Sequence, residues 1–320
     1  GARGALSSNL VIRGISVDAA ASPQFPASTQ PAVSTYINSV PIFANLRITD
    51  LERVEVLRGP QGTLYGAGSE GGTIRFIYNK PQFDGLTAKV SAGAGTTDGA
   101  SGLNSQADLT SNIPLAEHLA FRVSAGRERD QGFIDAPNRY VLGADGVPVP
   151  VNPGDLTNSP PERTQARGVN WDSTTSARGA LRWRPNDAFD AVLSYHYQSQ
   201  DSGAPPLVSY QAFGGDSRET NSQIPEPFHS TINLTALEVE SHLGFATFTT
   251  STSYYETQAQ ARNDFSGFYR SFPFYTTVYG NSPRFVAIGL EDYNAKGFAQ
   301  EFRLSSDSEG SLKWVAGAFY

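Results

Sequence analysis

The chain has 320 residues with 24 Lys and Arg against 31 Asp and Glu, and the resulting formal net charge of -7 excludes nucleic-acid binding by bulk electrostatics. Hydrophobic residues make up 39%, and no apolar run reaches the ~20 residues of a spanning helix, so any membrane crossing is left to strands. Cys and Met are both absent, and with neither an initiator nor a signal peptide the sequence reads as a mature or excised segment of about two domains.

From the start, a strand is expected over Leu10 to Ile15, then a proline-bearing loop from Ala19 to Pro31, then a hairpin turning at Asn38-Ser39. The most informative run is Asp50 to Pro81, DLERVEVLRGPQGTLYGAGSEGGTIRFIYNKP. It predicts a helical turn capped by Asp50, leading into a short strand in which Val54, Val56 and Leu57 face apolar surroundings. Gly59 and Pro60 break that strand. A brief helix follows over Gln61 to Tyr65, ended by glycines, and then a second strand. Gly66, Gly68 and Gly71 spell a literal GxGxxG, but a strand follows where a dinucleotide site needs a helix, so they read as turn glycines.

This run closely resembles the plug domain of TonB-dependent outer-membrane receptors. NLVIRG at Asn9 to Gly14 and STYINSVPI at Ser34 to Ile42 sit where that family has its IRG strand and plug hairpin. Asn38-Ser39 replaces the family's usual Asp-Gly, which predicts a slightly different turn without loss of fold. The resemblance implies that Arg13 and Arg58 anchor the plug to barrel carboxylates, with Glu301 as a local partner. It also implies that plug loops touch substrate, which makes Phe25, Phe43 and Asn45 candidate contacts.

After Pro81 period-2 alternation takes over and predicts nine strands, with apolar sets such as Leu181 and Trp183, or Leu193, Tyr195 and Tyr197, facing out. Arg178, Arg182 and Arg184 alternate with them and face in, the arrangement of a membrane barrel. After a first pair of short joins, the last of them near Ile113-Pro114, long joins (130–173, 201–232, 256–295) alternate strictly with short ones, as in barrels with tight periplasmic turns and long outer loops. Trp183, Phe189 and Trp314 are expected in a lower aromatic girdle, and Tyr195, Tyr197, Tyr254 and Tyr255 toward an upper one. The fold class is therefore mainly β, a mixed α/β plug over 1–81 followed by an incomplete antiparallel transmembrane barrel over 82–320.

Chemistry-bearing motifs are missing. His118, His196, His229 and His242 are scattered without metal-ligand spacing, and there is no GxSxG, Walker A or HExxH. The sequence predicts no enzyme, no metal and no cofactor. The run Phe265 to Tyr279 is rich in aromatics, and Phe265, Phe268, Tyr269, Phe272, Phe274 and Tyr275 are candidate ligand contacts, weighed against packing between loops. The expected function is TonB-dependent uptake of a scarce or large nutrient across the bacterial outer membrane, driven by the proton gradient. The partners are then TonB with its inner-membrane energising complex, outer-membrane lipid and a small-molecule substrate. A passive porin or a binding barrel without energy coupling is the alternative, and a soluble sandwich a third. Loop cations offset by acids favour a neutral or aromatic ligand such as a glycan, with a ferric siderophore close behind.

Overall fold

The computed structural model describes residues 12, 32–42, 46–65, 68–209, 218–279, 282–307 and 312–320. Arg13, Phe25, Phe43 and Asn45 lie outside them, as do most of the strand expected over Leu10 to Ile15 and the loop from Ala19 to Pro31.

A small sheet comes first. Strands β1 (Val33–Ile37) and β2 (Val40–Ile42) form a hairpin, β3 (Leu51–Arg58) leads through helix α1 (Gly62–Tyr65) to β4 (Gly72–Tyr78), and the strand order is β2-β1-β4-β3. β1 runs parallel to β4, and the other pairs are antiparallel. Asn38 takes φ +50 in the two-residue turn, the left-handed conformation that its short polar side chain tolerates. Gly72 opens β4 at φ +144, where a Cβ would stand 2.3 Å from the Leu57 carbonyl oxygen, so Gly72 is a steric requirement of the β3–β4 pairing. The helical turn expected at Asp50 is absent: Asp50 itself sits at φ +60 and β3 starts directly after it. Val54 and Val56, expected to face apolar surroundings, are each 49% exposed because no described element covers that face of β3.

Among the described residues the large sheet contains nine strands. In spatial order they are β5 (Thr87–Gly95), β6 (Asn104–Ala116), β7 (Leu119–Asp130), β10 (Asp172–Asn186), β11 (Phe189–Ser202), β12 (Phe228–His242), β13 (Ala246–Asp264), β14 (Ile288–Ser306) and β15 (Val315–Phe319). Every neighbour is antiparallel. β8 (Ala136–Tyr140) and β9 (Arg163–Ala166) pair separately in the long β7–β10 join.

Several boundaries differ from the sequence reading, and the join expected over 201–232 shortens to 203–227 because β12 begins at Phe228. The turn expected at Ile113-Pro114 lies at 117–118, and Pro114 is accommodated inside β6 at a register shift, where a missing donor costs no ladder bond. The join expected over 256–295 narrows to 265–287, because β13 and β14 are each 19 residues long. Crossing a bilayer takes about 9–11 residues of tilted strand, so both continue well beyond it. Their upper outward faces carry Glu256, Gln258 and Gln260 opposite Lys296, Asn294 and Asp292, and this loss of apolar alternation hid them.

Polarity is inverted relative to a soluble sandwich. On β11 the inward positions Ser194, His196, Gln198, Gln200 and Ser202 are buried, whereas outward Leu193 and Tyr195 are 48% and 46% exposed. Outward Trp183, Leu237, Tyr254, Phe298 and Phe302 are likewise exposed and extend the apolar band across the sheet. Trp183 and Phe189 meet edge to face at 5.3 Å beside the 187–188 turn, where the lower girdle was expected. Tyr255 leaves the upper girdle, since it points inward and packs on the small sheet. Among the described residues no helix is long and apolar enough to cross a membrane.

Candidate functional site: the seam between the two sheets

The small sheet lies against the inner face of the large one. Ile37, Val40, Ile42, Leu46 and Tyr78 bury against Ile232, Leu234 and Ala236 of β12, an inner-face apolar patch within an otherwise polar wall. Below and beside it the contact is ionic and concentrates on the strap 46–50, which joins β2 to β3.

Arg47 reaches two wall carboxylates. Its Nη1 and Nη2 donate to Asp108 of β6 at 2.5 and 3.0 Å, its Nε donates to Glu128 of β7 at 2.8 Å, and its backbone N–H donates to Gln198 of β11 at 2.6 Å. The Asp108 hydrogen bond raises the Arg47 pKa above its ordinary value, against the opposing effect of burial. Gly126 makes this pair possible, because a Cβ there would fall 2.0 Å from Asp108 Oδ1 and 2.6 Å from Arg47 Nη1.

Asp50 reverses the sign. Arg122 of β7 donates to both its oxygens, Nε at 2.6 Å and Nη2 at 2.5 Å, a bidentate fork. Arg178 of β10 stands 3.8 Å away on the other side and stacks its guanidinium 4.6 Å over the Tyr78 ring. The side chains of Asp50, Arg178 and Arg122 are 4%, 5% and 14% exposed, so this cluster is desolvated. The positive φ of Asp50 turns its carboxyl toward the wall, with Asn79 Nδ2 donating at 3.0 Å. Burial pushes the neighbouring Tyr78 hydroxyl up to about 12, although Arg178 acts to lower it.

Weaker ties surround the strap. Asn38 Nδ2 and Ser39 N–H donate to Glu238 of β12 at 2.8 and 3.1 Å, and Lys80 meets Asp190 of β11 at 3.1 Å with half its side chain exposed. Arg182 forks onto the same Asp190 at 2.9 Å through each of two nitrogens. All these wall groups occupy inward positions of the alternation. Sequence reasoning placed Arg178 and Arg182 on that face but missed Arg47, and it read Asp50 only as a cap. The available signal was a set of charged residues, Asp108, Arg122, Glu128, Asp190 and Glu238, interrupting strands on one parity only.

Of the expected anchors, Arg58 and Glu301 fall among the described residues and do not pair with each other. Arg58 is exposed and pairs with no carboxylate among the described residues, and Glu301 pairs with Arg303 on its own strand instead of with Arg58. Arg58→Ala is therefore expected to change stability by less than about 1 kcal/mol in a denaturation series. His196 is 4% exposed beneath Tyr78, with ring centroids 5.2 Å apart, and serves packing. Among the described residues no group of acids and histidines could hold a metal.

At the long-loop end, the aromatic run forms helices α2 (Ser266–Arg270) and α3 (Pro273–Tyr279). Tyr275 is buried against Phe285, 4.4 Å between ring centroids, and near Tyr269, while Phe268 packs edge to face on Phe272 at 4.8 Å. Arg270 ties the run to two other joins, donating to the Tyr140 hydroxyl at 3.2 Å, the Phe285 carbonyl at 2.8 Å and Gln223 at 3.4 Å. Packing thus accounts for Tyr275 and part of Phe272, while Phe268 and Phe274 remain 58% and 61% exposed and Tyr269 40%. Arg270→Ala is expected to cost about 1.5–3 kcal/mol of loop docking, read as faster proteolysis between 131 and 171 and between 265 and 287.

The TonB-dependent Receptor Plug Domain family matches residues 1–73. The metal-pseudopaline receptor CntO of Pseudomonas aeruginosa is 35% identical over 169 residues, 47% of this chain and 23% of that protein. The pesticin receptor of Yersinia enterocolitica is 46% identical over 54 residues, 16% of this chain and 8% of its own length. The chain thus spans less than a quarter of these relatives. Among solved structures, the ferric yersiniabactin uptake receptor FyuA from Yersinia pestis superposes with a TM-score of 0.60 at 16% identity, covering 91% of this chain and 39% of that one. A mutant of the ferric enterobactin receptor PfeA from Pseudomonas aeruginosa gives 0.59 at 14% identity, covering 90% and 40%. Residues 1–73 thus match the TonB-dependent receptor plug domain, and the chain is similar in sequence to these receptors and shares their fold.

Proposed function

We propose that this chain is the plug, over 1–81, and the adjoining wall strands, over 82–320, of an outer-membrane receptor that imports a scarce or bulky nutrient. In this reading TonB and its inner-membrane energising complex draw on the proton gradient to displace the plug, and the chain does mechanical work instead of bond chemistry. The observation that carries it is the seam: a plug-family segment held by desolvated ion pairs to the polar inner face of strands whose outer face is apolar and suited to lipid. A seam built this way speaks against a passive porin, whose lumen stays open.

For the cargo we favour a metal chelate over a glycan. Two of the relatives reported above are named for metal chelates, the metal-pseudopaline receptor CntO in sequence and the ferric yersiniabactin uptake receptor FyuA in fold. Exposed Phe268, Tyr269 and Phe274 are the rings proposed to meet it, with Phe25, Phe43 and Asn45 as candidates from the plug side. Arg13 and Arg58 stay candidate anchors on the resemblance, secondary to Arg47 and Asp50.

The test is uptake of radiolabelled iron, supplied as ferric catecholate and ferric hydroxamate chelates, by cells expressing the receptor with and without TonB. Import of at least one chelate that vanishes without TonB is the expected result. Equal import in both strains would sink the energy-coupled reading, and induction by a carbon source but not by iron starvation would return the cargo to a glycan. The double change Phe268→Ala with Phe274→Ala is expected to weaken binding of the imported chelate about tenfold. Undiminished affinity assigns both rings to loop packing.

A further inference from the structure

We infer that the plug is hinged: it stays fixed on the strap 46–50 and lifts first at the β1–β2 turn, opening its passage along the short-turn ends of β12, β13 and β14. This rests on the receptor reading above and adds which part of the plug moves and on which side.

The strap resists sliding as well as pulling. Arg47 and Asp50 lie three residues apart with opposite charges and hold Asp108 and Glu128 on one side and Arg122 and Arg178 on the other. A slide along the wall would bring like charges together, and separation would strand buried charges without partners. Water has little access there. The cavity beside the strap, lined by Leu46, Arg47, Thr49, Ser124, Ser176 and Gln198 among others, measures about 10 Å³, room for a single water. Just above, Ile42 and Leu46 continue into the apolar cluster on Ile232 and Leu234, which also holds Ile37 and Val40, so the fixed region is contiguous up to the foot of the β1–β2 turn and leaves Asn38 and Ser39 as the part that lifts first.

The opposite margin is built differently. The β1–β2 turn meets the wall through Asn38 and Ser39 on Glu238 and through the Ser251 hydroxyl, which donates to the Ser39 carbonyl at 3.4 Å. Next to these bonds lies a cavity of about 300 Å³, with Glu52, Arg53 and Arg75 on the plug side and Glu240, Glu301 and Arg303 on the wall side. A polar cavity of that size holds water, which competes for the turn's hydrogen bonds and hydrates the charges when the turn moves. Lifting here enlarges an existing wet space, whereas lifting at the strap must create one.

These 320 residues carry no cysteine, which allows a matched test in the full-length receptor once any cysteine elsewhere in it is replaced by serine. Ser124 lies beneath the strap at 4% exposure, and Ser251 lies beneath the turn at 6%. Ser124→Cys and Ser251→Cys are labelled separately with a membrane-impermeant maleimide in outer membranes, across a urea range that leaves the barrel folded. Labelling at Ser251→Cys is expected to run at least about tenfold faster than at Ser124→Cys in intermediate urea, because local openings differ in free energy. Adding Asp50→Asn to the Ser124→Cys receptor should bring the two rates together. Equal rates in the parent receptor, faster labelling beneath the strap, or no response to Asp50→Asn would each overturn the hinge. Labelling needs no cargo, so it reads the hinge even where the uptake assay fails.

Discussion

Replacing Asp50 with Ala in the full-length receptor should release about 3–5 kcal/mol of plug docking, the cost of leaving a buried ion pair without one partner. Asp50 is the sole carboxylate in contact with Arg122 and Arg178 among the described ion pairs, and both arginines are almost fully buried. Without it two positive charges face each other across a space that admits little water. Lys80–Asp190 offers the contrast, since half of the Lys80 side chain is exposed and its removal should cost no more than about 1 kcal/mol. The measurement is urea release of the plug, followed by proteolysis and by entry of a bulky glycopeptide antibiotic into intact cells. A double-mutant cycle with Arg122→Ala should recover much of the loss, because the second change removes the stranded charge. Strictly additive losses, or a loss under about 1 kcal/mol for Asp50→Ala, would show that the strap is held mainly by the apolar cluster.

The mainly β fold class and the plug run were legible because both rest on local signals. LERVEVLRGP and the Gly71-Gly72 pair fix a strand, a corner and a return strand within thirty residues, and the wall strands announce themselves by one-residue alternation. The anchoring set was not legible. Arg47 lies 61 residues from Asp108 and 151 from Gln198, and no local pattern encodes that distance. The family resemblance directed attention to Arg58, while Asp50, which pairs with Arg122 and Arg178, was absorbed by a capping argument that its positive φ contradicts. Tyr255 was misplaced for a related reason. An aromatic beside a girdle position has the right chemistry for an interface, and only parity, Tyr254 out and Tyr255 in, separates the two roles. The extended β13 and β14 were shortened because strands above the bilayer are polar on both faces and the alternation goes silent while the ladder continues.

Parity also governs the largest effect expected in the wall. Leu193 is the outward residue near the middle of β11, 48% exposed and paired across the ladder with Leu181 and Leu237, so it stands at the centre of the apolar band. Leu193→Arg places a charge at that depth and is expected to destabilise the inserted barrel by about 2–4 kcal/mol. Leu193→Phe keeps the apolar face and should insert as the parent does. Ser194 is one residue on and 3% exposed, buried on the inner face with His196 and Gln198 along the same row. Ser194→Arg leaves the lipid face intact and is expected to spare insertion, but it crowds the inner face and should loosen the plug. The two arginines therefore fail in different assays, the first in folding into lipid vesicles followed by heat-modifiable gel mobility, the second in antibiotic exclusion. An insertion defect of equal size at both positions would mean that the faces of β11 are assigned wrongly, and with them the inner wall on which Asp50 and Arg47 are held.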